Sequence, residues 1–218
     1  MLDLQKHERF EMEILKLMSD NNFLNPIIFG GGTCLRLCFG LNRYSVDLDF
    51  FQKNKFPNNY FEKFKKILAE NYEITDFWEK HFAFLIEIRS PKYLRRLKIE
   101  MRKEIENNIE TELNIAYSPF SDTQVRLTTF TLKQMWLNKI HAFTDRKKIR
   151  DAYDLEFLLK KDRNFINLIS NEQKLKMIKK LDSFKKMDFK ITLGSILEKS
   201  ERDFYNENGF KLLKTSLI

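Results

Sequence analysis

Two aspartates, Asp47 and Asp49, alternate with apolar residues in the stretch 45–51, which reads Ser-Val-Asp-Leu-Asp-Phe-Phe. Because successive side chains of a β-strand point to opposite faces, Ser45 and both aspartates are predicted to share one polar face. Their Cα atoms would lie roughly 6.5–7 Å apart. Carboxylates at that spacing suit Mg²⁺ ions, which prefer oxygen ligands. We expect this face to line a cleft rather than the core.

Three consecutive glycines, Gly30, Gly31 and Gly32, precede the acidic pair and are followed by Thr33. They separate a predicted strand over residues 26–29 from a predicted helix over 33–39. A glycine turn at the head of a helix offers backbone N–H groups to phosphate oxygens. The sequence has neither the Gly-Lys-Ser/Thr of a Walker loop nor the spaced glycines of a dinucleotide fingerprint. Turn and aspartates together predict a site for a metal-bound nucleoside triphosphate.

Glu100 is the candidate for a third metal ligand. It lies in a predicted strand over residues 94–101, where it alternates with apolar residues and has Lys98 and Arg102 two positions away on either side. The same pattern also fits a solvated surface charge, so both interpretations remain open.

A second group of polar residues lies around Lys139, in a pattern of predicted helices. Apolar neighbours indicate that the stem of Lys139 is partly buried, and its charge could clamp a phosphate. Arg146 and Arg150 are four residues apart, so we expect them to contact phosphate from one helix face. Asp151 and Asp154 are candidate catalytic residues; alternatively, they pair with these cations and hold them in place.

The order of predicted elements indicates an α+β fold, in which a mixed sheet core flanked by helices is followed by an all-helical carboxy-terminal lobe. We expect the core over residues 1–125 and the lobe over 126–218. The patterns predict helices over 4–18, 33–39, 60–70, 131–144, 150–160, 172–184 and 193–204, and strands over 26–29, 45–51, 82–88 and 94–101.

Composition narrows the class of protein. With 43% apolar residues and 21 Phe, the chain can bury a substantial core, which argues against disorder. The net charge of +8 favours an anionic partner, with nucleic acid ahead of a membrane surface. A general bias of composition towards lysine explains the charge equally well.

The two cysteines, Cys34 and Cys38, lie four apart in a helical pattern, and the three histidines are scattered. We therefore expect neither a disulfide nor a structural zinc site. The amino terminus lacks the apolar segment of a signal peptide, and no apolar run is long enough to span a membrane. A cytoplasmic protein is the expectation.

These motifs resemble the AbiEii/AbiGii-type toxin nucleotidyltransferases, a family within the DNA polymerase β nucleotidyltransferase superfamily that includes MenT-like enzymes. The resemblance covers about residues 27–159. It is carried by Gly31-Gly32-Thr33-x-Leu35-Arg36, Arg43-Tyr44-Ser45-x-Asp47-Leu48-Asp49-Phe50, Leu97-Lys98-Ile99-Glu100, Lys139-Ile140-x-Ala142, Arg146 and Arg150-Asp151-x-Tyr153-Asp154-Leu155.

The resemblance implies transfer of a nucleotide from an NTP with Mg²⁺, and a toxin role paired with a separate antitoxin protein. Related MenT enzymes add nucleotides to the 3′ end of tRNA, which makes tRNA or another RNA the implied acceptor. A protein or small-molecule acceptor is the alternative, and a non-catalytic nucleotide-binding module is a further one.

The resemblance also assigns roles to residues. It implies that Ser45 and Asp47 are central, that Asp49 is a co-ligand, and that Lys139 and one of Asp151 and Asp154 contribute to catalysis. The expected metal ligands are Asp47, Asp49 and Glu100. The expected nucleotide-binding residues are Gly31, Gly32, Thr33, Arg43, Ser45, Lys139, Arg146 and Arg150.

Overall fold

The protein is described by a computed structural model that covers residues 1–104 and 108–218. The chain divides into two compact units. The first comprises Met1–Gly40 and Tyr44–Phe130, and the second comprises Leu41–Arg43 and Thr131–Ile218. The short segment Leu41–Arg43 therefore belongs with the carboxy-terminal residues, although it lies between the glycine turn and the acidic strand in sequence.

The first unit is built on a seven-stranded mixed sheet with the strand order β3-β4-β5-β2-β1-β7-β6. The pairs β2–β5 and β1–β7 are parallel, and the remaining neighbours are antiparallel. The strands are β1 Ile27–Gly30, β2 Asp47–Gln52, β3 Glu73–Glu79, β4 Ala83–Arg89, β5 Leu97–Arg102, β6 Thr111–Tyr117 and β7 Gln124–Phe130. The predicted α+β class with a mixed sheet is confirmed.

Among the described residues of the first unit, three helices accompany this sheet: α1 Leu2–Asp20, α2 Gly31–Phe39 and α3 Tyr60–Asn71. The apolar face predicted for α1 is buried, with Phe10, Ile14 and Leu15 fully inaccessible to solvent. Helix α2 begins at Gly31, two residues earlier than predicted, and ends at Phe39, because Gly40 adopts a left-handed backbone with a φ of 80°.

The second unit contains five α-helices within its described residues: α4 Leu132–Arg146, α5 Ile149–Lys161, α6 Asn171–Asp182, α7 Lys199–Asn208 and α8 Lys211–Ser216. Short 3₁₀ and π turns connect them. The helix predicted over 193–204 is wrong in its first half, because Leu197 and Glu198 have extended backbones and α7 starts only at Lys199. The core is aromatic and aliphatic, with Trp136 and Phe143 fully buried.

Candidate active site

Strand β2 has the alternation that the sequence predicts. Leu48 and Phe50 are completely buried, whereas Asp47 and Asp49 are half-buried on the other face. Ser45 lies in the irregular segment just before the strand and is also half-buried. In the parallel pairing of β2 with β5, Asp47 lies opposite Lys98 and Asp49 lies opposite Glu100. The structure thus brings the three expected metal ligands onto two neighbouring strands.

Lys98 is a cation close to two of these carboxylates, those of Asp47 and Glu100. Its Nζ lies 3.8 Å from Oδ2 of Asp47 and 3.7 Å from Oε2 of Glu100. Glu100 has a second cationic neighbour, because Nε of Arg102 lies 3.8 Å from its Oε1. These separations exceed hydrogen-bonding distance. The carboxylates of Asp47 and Glu100 therefore sit in a positive field but are not locked into short ion pairs.

The glycine turn packs directly against Asp49. Gly31 has a φ of +72°, and a Cβ atom placed on it would overlap Oδ2 of Asp49 and lie 2.9 Å from its Cβ. Both the backbone conformation and the space therefore require glycine at this position. The first N–H groups of α2 have no acceptor within the helix, so its amino-terminal end is electropositive. The turn consequently brings a polarised helix end next to an acidic side chain.

Thr33 connects α2 to the acidic strand from within the core. Its hydroxyl, which is inaccessible to solvent, lies 2.6 Å from the carbonyl oxygen of Asp47 and 3.3 Å from Oε1 of Glu11. Because a hydroxyl has one proton, we assign its donation to the closer Asp47 carbonyl. The structure thus places Thr33, expected to bind nucleotide, where its side chain fixes the backbone of Asp47.

The buried carboxyl of Glu11 has an unusual environment. Burial, followed by the charge of Glu8, raises its pKa well above the ordinary value for a glutamate. A protonated Glu11 can donate a hydrogen bond to the hydroxyl oxygen of Thr33, which completes a chain from α1 through α2 to β2. The sequence alone does not reveal this chain, because Glu11, Thr33 and Asp47 are distant from one another in sequence.

Two further ionisable residues of α1 support the same region. Nε2 of His7 lies 3.0 Å from the carbonyl oxygen of Val46, and burial lowers the pKa of the ring. The neutral ring therefore carries its proton on Nε2 and donates it to Val46. Glu8 accepts a hydrogen bond from Ser118 at 2.6 Å and forms an ion pair with Nε of Arg36.

The guanidinium of Arg36 also lies 3.9 Å above the ring of Tyr44, the first residue of the irregular segment before β2. This contact is a cation–π interaction. Helix α1 thus supports both the residues that begin α2 and the residues that lead into the acidic strand.

The second unit contains a buried cluster of charges. Arg43 binds Asp154 in a bidentate manner, with Nε 2.6 Å from Oδ1 and Nη2 2.8 Å from Oδ2. Nζ of Lys139 lies 2.5 Å from Oδ2 of Asp154 and 3.2 Å from Oδ1 of Asp151. Nε of Arg146 lies 3.0 Å from Oδ2 of Asp151. The partial burial predicted for Lys139 is confirmed, since it is 8% exposed.

Both aspartates of this cluster are completely buried, and Arg43 is 2% exposed. Burial alone would raise the pKa of Asp154, but the charges of Arg43 and Lys139 outweigh it and lower that pKa below its ordinary value. For Arg43, burial works against the charged form, and the adjacent Asp154 nevertheless raises its pKa. Asp154 and Arg43 are therefore both charged, and each neutralises the other. Arg43, expected to bind nucleotide, is occupied by Asp154.

The two arginines expected on one helix face lie on different helices, so that prediction is wrong. Helix α4 ends at Arg146, because Lys147 adopts a left-handed backbone with a φ of 45°. Arg150 belongs to the first turn of α5. Arg146 pairs with Asp151, as the alternative interpretation of that aspartate proposed.

Within residues 1–104 and 108–218, no group of three or more His, Cys, Asp and Glu side chains is arranged to hold a metal ion by itself. Cys34 and Cys38 are both free cysteines. No helix in the described part of the chain is sufficiently long and apolar to cross a membrane.

Comparison with solved structures finds the same fold in Helicobacter pylori proteins. One is provisionally assigned as a nucleotidyltransferase; it is 20% identical, the alignment covers 96% of each chain, and the TM-score is 0.58. The other is JHP933, also 20% identical, with a TM-score of 0.58 and coverage of 96% of this chain and 93% of its own. A search of curated proteins found no significant match.

The comparison with family sequence profiles reaches further than the fold. Residues 13–209, most of the chain, match the family described as nucleotidyl transferase AbiEii toxin of type IV toxin–antitoxin systems. The match includes the glycine turn, both aspartates of β2 and the buried cluster, whereas His7, Glu8 and Glu11 lie before it. The chain belongs to the AbiEii family of nucleotidyltransferase toxins.

Proposed function

We propose that this nucleotidyltransferase uses Mg²⁺ to transfer an NMP from an NTP to a hydroxyl at the 3′ end of tRNA, and that it acts as a toxin with a cognate antitoxin protein. The observation that carries the chemistry is the acidic face of β2. There, Asp47 and Asp49 share one side of the strand, Glu100 lies opposite Asp49, and the head of α2 packs against the same carboxylate.

The donor set of this face fits Mg²⁺. Magnesium is commonly held by one or two carboxylates together with phosphates of the substrate, rather than by a complete cage of protein ligands. Asp47 and Asp49 would supply those carboxylates, and Glu100 would support them from β5. When bound, the metal neutralises phosphate charge and activates the attacking hydroxyl. Lys98, near Asp47 and Glu100, balances their charge when no metal is bound.

The amino-terminal end of α2 would receive phosphate oxygens of the NTP. Gly31 and Gly32, in the first turn of α2, would offer their backbone N–H groups there, and Ser45, just before β2, would add a hydroxyl donor. Thr33 acts indirectly in this proposal, because its hydroxyl holds the Asp47 carbonyl. Chemistry then depends mainly on positioning and on electrostatic stabilisation.

In the second unit, Lys139 is the proposed nucleotide contact. Two carboxylates hold its Nζ in place, so the position of its positive charge is fixed before substrate binds. Asp151 and Asp154 are accordingly positioning residues for Lys139, and Arg43 in turn positions Asp154. The burial of Asp151 and Asp154 supports these positioning roles, because a carboxylate without access to solvent acts through the side chains that it contacts.

Residues 89–103 contain seven Lys and Arg, which suggests a surface for an RNA backbone. The structure gives this suggestion little support. Most of these cations have carboxylate neighbours: Arg95 with Asp3, Arg96 with Glu87, Lys98 with Asp47 and Glu100, Arg102 with Glu100, and Lys103 with Glu79. The tRNA acceptor therefore depends on the family resemblance and on the overall positive charge of the chain.

A labelling experiment tests the proposal. The protein is incubated with Mg²⁺, each labelled NTP in turn, and either total tRNA or cell lysate. Asp47→Ala is the inactive variant, and Asp122→Ala, which changes an exposed aspartate of the same unit, is the matched control. We expect label on RNA with the wild type and with Asp122→Ala, and none with Asp47→Ala.

The other outcomes distinguish the alternatives. Label on protein in the lysate that depends on Asp47 would identify a protein side chain as the acceptor in place of RNA. Label on a small molecule that depends on Asp47 would identify a small-molecule acceptor. If no NTP gives label that depends on Asp47, the proposed transfer reaction is wrong.

A further inference from the structure

The positive charge of the chain is concentrated in one part of it. Residues 1–130 contain 19 Lys and Arg and 19 Asp and Glu, so they are neutral, whereas residues 131–218 contain 20 Lys and Arg and 12 Asp and Glu. The whole net charge of +8 therefore belongs to the carboxy-terminal residues. A general bias of composition would affect both parts, so the asymmetry points to a surface with a function.

Part of this charge surrounds a cavity of about 550 Å³ in the second unit. The connection between α4 and α5 lines one side with Lys147, Lys148 and Arg150, and Phe184 and Asp188 lie on the other. Nζ of Lys147 lies 3.4 Å from the carbonyl oxygen of Ser183 and 5.6 Å from the ring centre of Phe184, which joins the two sides. The cavity is thus a concave site with a basic rim and an aromatic wall.

The segment beside Phe184 adds further cations. Lys185, Lys186 and Lys190 are exposed, and within the described residues their side chains, like that of Arg150, have no carboxylate partner. The cavity's acidic lining residue, Asp188, accepts a hydrogen bond from the backbone N–H of Lys185 at 2.8 Å. Unlike segment 89–103, these cations are not neutralised by neighbouring carboxylates.

We propose that this basic cavity, lined by Lys147, Lys148, Arg150 and Phe184 and flanked by Lys185 and Lys186, binds the sugar–phosphate backbone of the RNA acceptor, with a base against Phe184. The inference rests on the proposed RNA acceptor. Lysine and arginine neutralise phosphates without reading sequence, and aromatic rings stack on bases of any kind. The site would therefore hold the body of the acceptor and not the nucleotide that is transferred.

Binding of total tRNA by the full-length protein tests this assignment, with fluorescence anisotropy measured at several salt concentrations. The test variant is Lys185→Glu with Lys186→Glu, and the matched control is Lys63→Glu with Lys66→Glu, an equal charge change at exposed positions on α3 of the first unit. We expect about a tenfold loss of affinity and a reduction of the salt slope by about 1.4 for the test variant, since each contact contributes about 0.7 for single strands. The control should bind nearly as the wild type does.

A second variant, Phe184→Leu, separates stacking from charge. It should weaken binding about fivefold or more at every salt concentration without changing the salt slope, because base stacking contributes about 1–3 kcal/mol. Thermal unfolding of each variant confirms that the fold is retained before binding is compared.

Several results would overturn the assignment. The first is equal loss of affinity in the test and control variants, which would mean that only net charge matters. The second is binding of anionic phosphatidylglycerol vesicles, but not of tRNA, through Lys185 and Lys186; exposed Met187 and Ile191 would suit such a surface. The third is competition by an NTP alone at this site, which would make it a nucleotide pocket.

The binding measurement is independent of catalysis, so the two proposals fail separately. If tRNA binds through Lys185 and Lys186 but never receives label, the proposed transfer reaction fails and this surface stands. If tRNA is labelled equally by the wild type and the test variant and both bind it equally, the transfer reaction stands and this surface is wrong.

Discussion

The two acidic groups of this chain differ in how their charges are balanced. On β2 and β5, Asp47 and Glu100 lie 3.7–3.8 Å from Lys98 and remain partly exposed. In the second unit, Asp154 is fully buried and is contacted by Arg43 and Lys139 at 2.5–2.8 Å. The first group has coordination capacity left for a ligand, whereas the second is already satisfied by protein groups.

This difference indicates why the two groups call for different experiments. A partly exposed carboxylate held by distant cations contributes little to stability, so its removal should appear in activity. A buried ion pair that loses one partner leaves an uncompensated charge, so its disruption should appear in stability. Four substitutions test that contrast.

The largest effect is expected for Asp154→Asn. The change removes the charge that compensates Arg43 and Lys139 and should lower the free energy of unfolding by about 3–5 kcal/mol. Urea denaturation followed by circular dichroism measures this loss. Because the pKa of Asp154 is lowered in the folded state, its stabilising contribution is present above the unfolded pKa and disappears as pH falls through the folded pKa. A small loss that is independent of pH would contradict the structural role.

Asp47→Asn should show the opposite pattern. Loss of this proposed metal ligand should reduce nucleotidyl transfer by about 10²- to 10³-fold, which corresponds to roughly 3–4 kcal/mol of transition-state stabilisation. The free energy of unfolding should change by less than about 1 kcal/mol, because Lys98 is the distant partner that is lost. Activity is measured by labelling at saturating NTP, and stability by the same urea titration. A comparable loss of stability would remove the distinction between the two groups.

Thr33→Val tests whether Asp47 is positioned from the core. Valine keeps the shape of threonine but leaves the Asp47 carbonyl without its hydrogen bond, which should cost about 1–2 kcal/mol of stability. Transfer should fall about tenfold, since a small displacement of Asp47 would move the proposed metal ligand away from its productive position. Thr33→Ser, which restores the hydroxyl, is the control and should recover most of the activity. The Mg²⁺ concentration for half-maximal activity should rise in the valine variant, which simple destabilisation would not produce.

The sequence was sufficient for the elements with a strong local pattern. The alternation of Asp47 and Asp49 with Leu48 and Phe50 identified β2, and the glycines identified the start of a helix against it. Strands β3, β6 and β7 were missed. In β6, Leu113 and Ile115 are exposed and Ala116 is buried, so its hydrophobic pattern does not mark the face that packs.

The partners of polar residues could not be predicted, because they are distant in sequence. Arg43 and Asp154 are separated by 111 residues, as are Arg9 and the Phe120 carbonyl that accepts its hydrogen bond. Nearness along the chain made Asp151 and Asp154 expected partners of the nearby cations, and Asp151 does pair with Arg146, five residues away. Spacing along the chain does not indicate that Arg43 forms an ion pair with Asp154, or that the side chain of Thr33 is buried in the core.

The smallest effect, and the sharpest contrast, is expected for Glu11→Gln. This is the same change of a buried carboxyl to an amide as Asp154→Asn, but the pKa of Glu11 is raised by burial and by Glu8. The folded state therefore keeps a proton that the unfolded state releases above its pKa of about 4.3, and stability falls as pH rises towards the folded pKa.

Glutamine cannot ionise, and its amide can donate to the Thr33 hydroxyl as the protonated acid does. We expect Glu11→Gln to match the wild type near pH 4 and to be more stable than the wild type at pH 8. Thermal unfolding from pH 4 to pH 8 measures the difference, with Asp154→Asn as the comparison. As pH rises, the stability of the two variants relative to the wild type should change in opposite directions. Asp154→Asn removes an ionised carboxylate that two cations hold, whereas Glu11→Gln removes a carboxyl that the core keeps neutral. If Glu11→Gln is instead less stable at every pH, Glu11 is ionised in the folded protein. In that case the hydroxyl of Thr33 donates its hydrogen bond to the carboxylate of Glu11.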